Sequence, residues 1–311
     1  MRIYGSEVTG SLRVKGDIFA ENYIVKSTVS TITQSFSSGS TIFGDSADDN
    51  HRFTGSLFIS GSRIALSDGK NNLAIGKNTI SVIGAGQGGN VAIGYESMKS
   101  AGTATNNNAE FNTAIGYEAL KDVTTGYTNV AVGKGAGESL TTGHSNVAIG
   151  TGALDVATDV DHTVIIGKKA GEGNMTSAAD GTIAIGYQAG AAITSGASNT
   201  IIGYDAGKAL TTGGNNVIIG RDAGNDTSGN NAVIIGSHAG DDNSPSNAVI
   251  IGYRAGRVIN GENATAIGYD ALKSATEPDN TAVGAYALQT LVDGENNTAL
   301  GIAAGYRIDK G

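Results

Sequence analysis

The chain has no cysteine and no tryptophan, only two prolines among 311 residues, and aromatic side chains at just 5%. Without cysteine there are no disulfides, no thiolate zinc sites and no cysteine nucleophile. With so few aromatics, an ordinary large aromatic-rich core cannot be built. Charged residues are also sparse, at 16%, and the net charge of -9 comes with both signs interspersed. That leaves no basic footprint for nucleic acid or an anionic membrane surface, and it accounts for solubility. No run reaches the roughly eighteen apolar residues of a membrane span, and residues 1–7 lack the apolar stretch of a signal peptide. Neither leader-directed export nor membrane insertion is therefore expected.

What the chain has instead is glycine, 48 residues of it, about twice the ~7% average. The scarcity of proline and the lack of a Gly-X-Y period exclude collagen. An apolar content of 39% is too high for a wholly disordered chain. The glycines are the punctuation of a repeat that fills the sequence from residue 72 onward. Its unit centres on Asn-(Thr/Val)-(Ala/Ile)-Ile-Gly, and its glycines fall at Gly76, Gly94, Gly116, Gly133, Gly150, Gly167, Gly186, Gly203, Gly220, Gly236, Gly252, Gly268, Gly284 and Gly301. These are fourteen copies, most of them 16 or 17 residues apart.

Positions within a copy obey different rules. The residue before the glycine is Ile, Val or Leu, and the one before that is only Ala or Ile, as in Ala148-Ile149-Gly150 and Ile218-Ile219-Gly220. Side chains alternate across a strand, so two adjacent obligately apolar positions predict a strand buried on both faces. Three residues after the glycine stands alanine in twelve copies, from Ala119 to Ala304, marking a close approach of backbones. An asparagine opens most copies, among them Asn72, Asn90, Asn112, Asn129 and Asn146, which suits an αL turn and an amide ladder stacked from coil to coil. Connecting segments such as Thr141-Thr142-Gly143-His144-Ser145 are turn chemistry. The expectation is an all-β chain, a parallel β-solenoid of about 14 coils, each with two short strands and two turns. At one coil per ~4.8 Å it would make a rod on the order of 65 Å long. A thin core per coil and a second apolar strand face to cover point to several chains packed together, most simply a parallel homotrimer.

Residues 1–70 differ in texture and are expected to form an N-terminal extended, β-rich attachment segment, with residues 71–311 as the repeat body. Thr9-Gly10-Ser11-Leu12 and Thr54-Gly55-Ser56-Leu57 are a related pair, each reading as turn plus strand. Val25, Val29, Ile32 and Phe36 have a 4-3-4 spacing compatible with a short coiled coil, against Ser, Thr and β-branched surroundings that favour extended structure.

Residues 72–305 resemble the head repeats of trimeric autotransporter adhesins, through Asn146-Val147-Ala148-Ile149-Gly150 and its relatives. The longer form Asn112-Thr113-Ala114-Ile115-Gly116-Tyr117-Glu118-Ala119-Leu120 is similar to repeats of phage tail fibres. The resemblance implies a left-handed β-roll, a homotrimer, and a shaft or head of a host-attachment fibre on a virion, with a bacterial surface adhesin head as the alternative. Its partners would be other fibre or virion proteins and a host surface glycan or protein. The period exceeds the usual fourteen of the adhesin heads, so their turn geometry does not carry over.

Six tyrosines directly follow repeat glycines: Tyr95, Tyr117, Tyr187, Tyr204, Tyr253 and Tyr269. They are the candidate binding residues, as an aromatic ladder able to stack on sugars; covering turn edges or inter-chain seams is the competing role. No catalytic, cofactor or metal residues are expected. His51, His144, His162 and His238 are scattered through turns without triad or cage spacing. The acidic clusters at 45–49 and 241–243 offer hard oxygens for Ca²⁺ but lack calcium-loop patterns, so solvated turns are expected. Gly84-Ala85-Gly86-Gln87-Gly88-Gly89 fits GxGxxG but has no following helix pattern. A hexapeptide acyltransferase is disfavoured because Lys208 and Gly214 stand where aliphatics are needed after Ile202, and an ice-binding solenoid because no Thr-x-Thr ladder recurs. The chain is read as non-enzymatic.

Overall fold

The computed structural model describes residues 71–80, 88–99, 108–226, 228–242, 245–259, 262–275 and 277–310. The expectations for residues 1–70 and for residues 84–87 of the GxGxxG stretch lie outside the described residues.

One parallel sheet of fourteen three-residue strands runs in chain order from Leu73–Ile75 to Thr298–Leu300. Each strand pairs in register with the next, so that Val217, Ile218 and Ile219 lie against Val233, Ile234 and Ile235. The described residues thus form an all-β parallel solenoid of about thirteen turns, one per step between neighbouring strands. Among them the only helical element is a single 3-10 turn, Ser177–Ala179, and no helix is long and apolar enough to cross a membrane. The ladder is continued at both strand ends. Val91 N–H donates to Asn112 C=O at 2.8 Å, and Gly94 N–H to Ile75 C=O at 2.8 Å.

Each strand ends because the next residue is the repeat glycine. In all fourteen copies its φ lies between +122° and +143°, a conformation side chains rarely adopt. Space forbids a side chain too, since a Cβ on Gly133 would stand 2.7 Å from the carbonyl carbon of Gly150 in the next coil. Two and four residues further on, the backbone is again at positive φ, as at Asp222 and Gly224 or at Asp270 and Leu272. The alanine between them turns inward and is fully buried in most coils, including Ala223 and Ala271.

In most coils core filling follows an exchange rule between the central strand residue and the position six residues later. Ala131, Ala184 and Ala299 depart from it, being followed there by Gly137, Gly190 and Gly305, against which Leu140, Ile193 and Ile308 lie. Where the strand centre is Ile, as in Ile165, Ile201, Ile218, Ile234 and Ile250, the later position is Gly171, Gly207, Gly224, Gly240 and Gly256. A Cβ on Gly224 would meet Ile218 and Ile234 at 3.3 Å, so the isoleucines occupy that volume. Where the centre is Ala114, Ala148, Ala266 or Ala282, the later position holds buried Leu120, Leu154, Leu272 or Leu288. These leucines accept φ between +44° and +55°, a conformation costing each roughly 1–2 kcal/mol, because their side chains fill the space the alanine leaves.

The expected asparagine ladder is present and buried. Asn146 N–H donates to Asn129 Oδ1 at 2.9 Å, while Asn146 Nδ2 donates to Val160 C=O at 2.7 Å. Positive φ falls on the residue before each ladder asparagine, as at Thr128 and Ser145, and not on the asparagine itself. The expectation of two strands per coil needs a larger correction. Among the described residues a second parallel sheet exists only near the C-terminal end, built from Val258–Ile259, Ser274–Ala275, Thr290–Asp293 and Arg307–Lys310. Elsewhere the second wall is a turn. Thr124, Thr125 and Gly126 N–H groups all converge on the single carbonyl of Thr141, at 2.9, 3.2 and 3.1 Å, which an extended strand cannot arrange.

Candidate functional site

In a three-residue strand the central side chain points inward and the flanking two outward. Burial follows this closely: centres such as Ala131, Ile201 and Ile250 are fully enclosed, whereas the first and third residues are half-exposed. Leu73, Val91, Thr113 and Val130 begin one outward column; Ile75, Ile93, Ile115 and Val132 begin the other. Third-column exposure reaches 50% at Ile75 and 79% at Leu300. The described residues therefore cover one face of the sheet and leave half-exposed the other, which is aliphatic but for Thr113, Thr200, Thr265, Thr281 and Thr298.

The six candidate tyrosines border this face, one residue beyond the repeat glycine. Register brings them together in pairs: Tyr95 stacks on Tyr117 with ring centroids 5.2 Å apart, Tyr187 on Tyr204 at 5.0 Å, and Tyr253 on Tyr269 at 5.3 Å. All but Tyr187 are exposed. Lys134, in the coil after Tyr117, extends one pair with its ammonium 5.5 Å from the ring. Tyr286 and Tyr306, which the glycine rule did not pick out, continue the third stack at 5.2 and 6.3 Å between centroids. The ladder is thus three short stacks rather than one continuous stripe, because lysine, arginine, threonine or serine holds the position in between.

Beside the third stack lies an open cleft of about 320 Å³, lined by His238, Asp241, Tyr253, Arg254 and Arg257. Its charges are balanced. His238 reaches Asp241 at 3.3 Å and Asp222 at 3.7 Å, and Arg257 reaches Asp242 at 3.3 Å. Burial pushes the Asp241 carboxyl above its ordinary range, with the contact to His238 opposing it.

A charged corner runs along other coils. Lys121 bridges Glu118 at 2.9 Å and Glu138 at 3.0 Å, and these bonds raise its pKa. Asp122 and Asp155 nearby are pushed up chiefly by burial, Asp155 also by the Glu138 and Glu172 carboxylates. At another corner the solenoid period brings together side chains far apart in sequence: His144 Nδ1 lies 3.1 Å from Asp161 Oδ1, and the ring centroids of His144 and His162 are 5.1 Å apart. Spacing alone suggested no cage, yet 17 residues between His144 and Asp161 is the repeat period itself, which is the signal that finds the pair.

Compared with known proteins, the chain matches no family model, no curated protein and no solved structure.

Proposed function

We propose that this chain is a non-enzymatic structural and adhesive fibre protein, a homotrimeric tail-fibre shaft or head that attaches a virion to a host surface. The observation that carries the reading is the largely aliphatic face of the fourteen-stranded sheet that the described residues leave uncovered. Thirteen steps of ~4.8 Å by a strand width of ~10 Å give a face on the order of 600 Å², at the top of the range for the largest patches on monomers. Its two columns run the full length of the described solenoid, which suits two neighbours per chain. A closed three-fold arrangement supplies that number and leaves no unpaired copy of the face. A parallel trimer also keeps identical coils at equal height, so every aliphatic column meets the same chemistry throughout.

Attachment is assigned to the tyrosine stacks, which offer flat aromatic faces on a rigid scaffold, the usual chemistry for sugar recognition. The test is binding of the purified chain to arrayed glycans and to candidate host cells. Tyr187→Ala/Tyr204→Ala and Tyr253→Ala/Tyr269→Ala variants are expected to lose binding while keeping the parent's native mass. Variants that bind as well as the parent but fall apart into single chains would place the tyrosines in the inter-chain seam instead.

A further inference from the structure

We propose that His144, Asp161 and His162 form a binding site for a first-row transition metal ion of the Zn²⁺ class, clamping two successive coils at one corner. One ligand atom from each residue lies within 4.8 Å of the other two. His144 Nδ1 is closed off from solvent and has no hydrogen-bond partner, although Asp161 Oδ1 is only 3.1 Å away. A buried ring nitrogen facing a carboxylate without a hydrogen bond is costly when empty. It is correctly placed for a shared cation.

The geometry fits the ion. With Zn–N of ~2.0–2.1 Å and Zn–O of ~2.0–2.2 Å, tetrahedral ligand atoms stand roughly 3.3 Å apart, close to the existing His144–Asp161 distance. The exposed His162 ring closes the remaining gap by turning about its own side-chain torsions, and water takes the fourth position. Two imidazoles and one carboxylate select Zn²⁺, Ni²⁺, Co²⁺ or Cu²⁺ over the oxygen-seeking Ca²⁺ and Mg²⁺.

The three residues are also held in place before any ion arrives. Asp161 Oδ1 accepts the His144 backbone N–H at 2.7 Å, the Asp161 N–H donates to Asp180 Oδ1 at 2.8 Å, and the His162 N–H donates to His144 C=O at 3.1 Å. Tyr127 packs on the other side of the His144 ring, with centroids 4.6 Å apart, which fixes its plane. These outer contacts preorganise the ligands, as a metal site requires. All three ligands belong to one chain, so the site does not depend on the trimer.

The test uses the full chain without a polyhistidine tag, stripped with chelator and titrated with Zn²⁺ or Ca²⁺ by calorimetry, with thermal melting in parallel. Expected are one Zn²⁺ per chain, a higher melting temperature with Zn²⁺, and no response to Ca²⁺. His162→Asn and Asp161→Asn should each weaken Zn²⁺ binding by at least ~10-fold. Both are chosen to fold: asparagine already occupies the position of His162 in later coils, at Asn215, Asn231, Asn247 and Asn263, and an asparagine oxygen still accepts the His144 N–H. His238→Asn should bind like the parent. Absence of Zn²⁺ binding, or undiminished binding in the His162→Asn/Asp161→Asn double variant, would overturn the proposal.

Discussion

In the four coils whose strands run from Thr200–Ile202 to Val249–Ile251, the inner and outer faces of the sheet carry the same isoleucine side chain and meet different fates. Inside, Ile201, Ile218, Ile234 and Ile250 are completely enclosed; outside, their neighbours Ile202, Ile219, Ile235 and Ile251 stay half-exposed. The difference is not one of hydrophobicity but of what lies opposite. The inner face has its own coil's turn to pack on, with the glycine at the sixth following position making room. Among the described residues, nothing of its own chain packs over the outer face. Sequence composition alone therefore sets how much surface must be covered, while topology decides how much of it one chain covers.

The largest expected effect comes from placing a charge on each face. Ile218→Asp buries an unpaired carboxylate and is expected to cost more than about 4 kcal/mol, abolishing the folded solenoid by circular dichroism and limited proteolysis. Ile219→Asp, one residue later, should leave the coils folded and shift the native mass toward a single chain. Equal loss of folding in both would erase the distinction between the faces.

Next in size is the exchange rule of the inner face. Ala266→Ile alone overpacks Leu272 and should cost about 1–3 kcal/mol. Leu272→Gly alone leaves a cavity and should cost about 2–5 kcal/mol, reduced by relief of its positive φ. The double variant recreates the Ile/Gly pairing of the central coils and should recover to within about 1 kcal/mol of the parent, a coupling that thermal melts of all four proteins would read.

A smaller effect is expected in the amide ladder. Asn129→Ala removes the acceptor for Asn146 N–H and the donor to Gly143 C=O, both buried, and should cost about 1–3 kcal/mol in denaturant titrations.

The smallest concerns the charged corner. Burial and neighbouring carboxylates raise the Asp155 pKa, so its ionised form disfavours the folded state. Asp155→Asn should therefore stabilise the protein at neutral pH, by less than about 1 kcal/mol because the site is partly solvent-screened. That gain should shrink as pH falls through the raised folded value. It should vanish below the unfolded value near ~3.9, where the parent carboxyl is neutral in both states.

Much of this was legible in the sequence because the repeat makes each position report many times over. The period, the paired apolar positions and the asparagine ladder from Asn72 to Asn146 are seen directly in the coils. The second strand was not legible: Asp122-Val123 and Val258–Ile259 both stand six and seven residues after their repeat glycine, and only backbone geometry separates a turn from a strand there. Positive φ at Leu120 or Leu272 is invisible as well, because packing overrides the local cost. Of the candidate site, the tyrosine positions followed from the glycines. Their breakup into three stacks, and the meeting of His144 with Asp161 and His162, required the register of one coil on the next.

The most direct test of the central claim, that the outer face is covered by two further copies of this chain, is the native mass by light scattering. A value near 94 kDa, three times the 31.2 kDa chain, is predicted for the parent, with Ile202→Lys/Ile219→Lys falling toward 31 kDa while still folded. A parent that remains at 31 kDa at all concentrations would contradict the account, since a sheet face with an unbroken aliphatic column from Ile75 to Leu300 would then stand permanently in water.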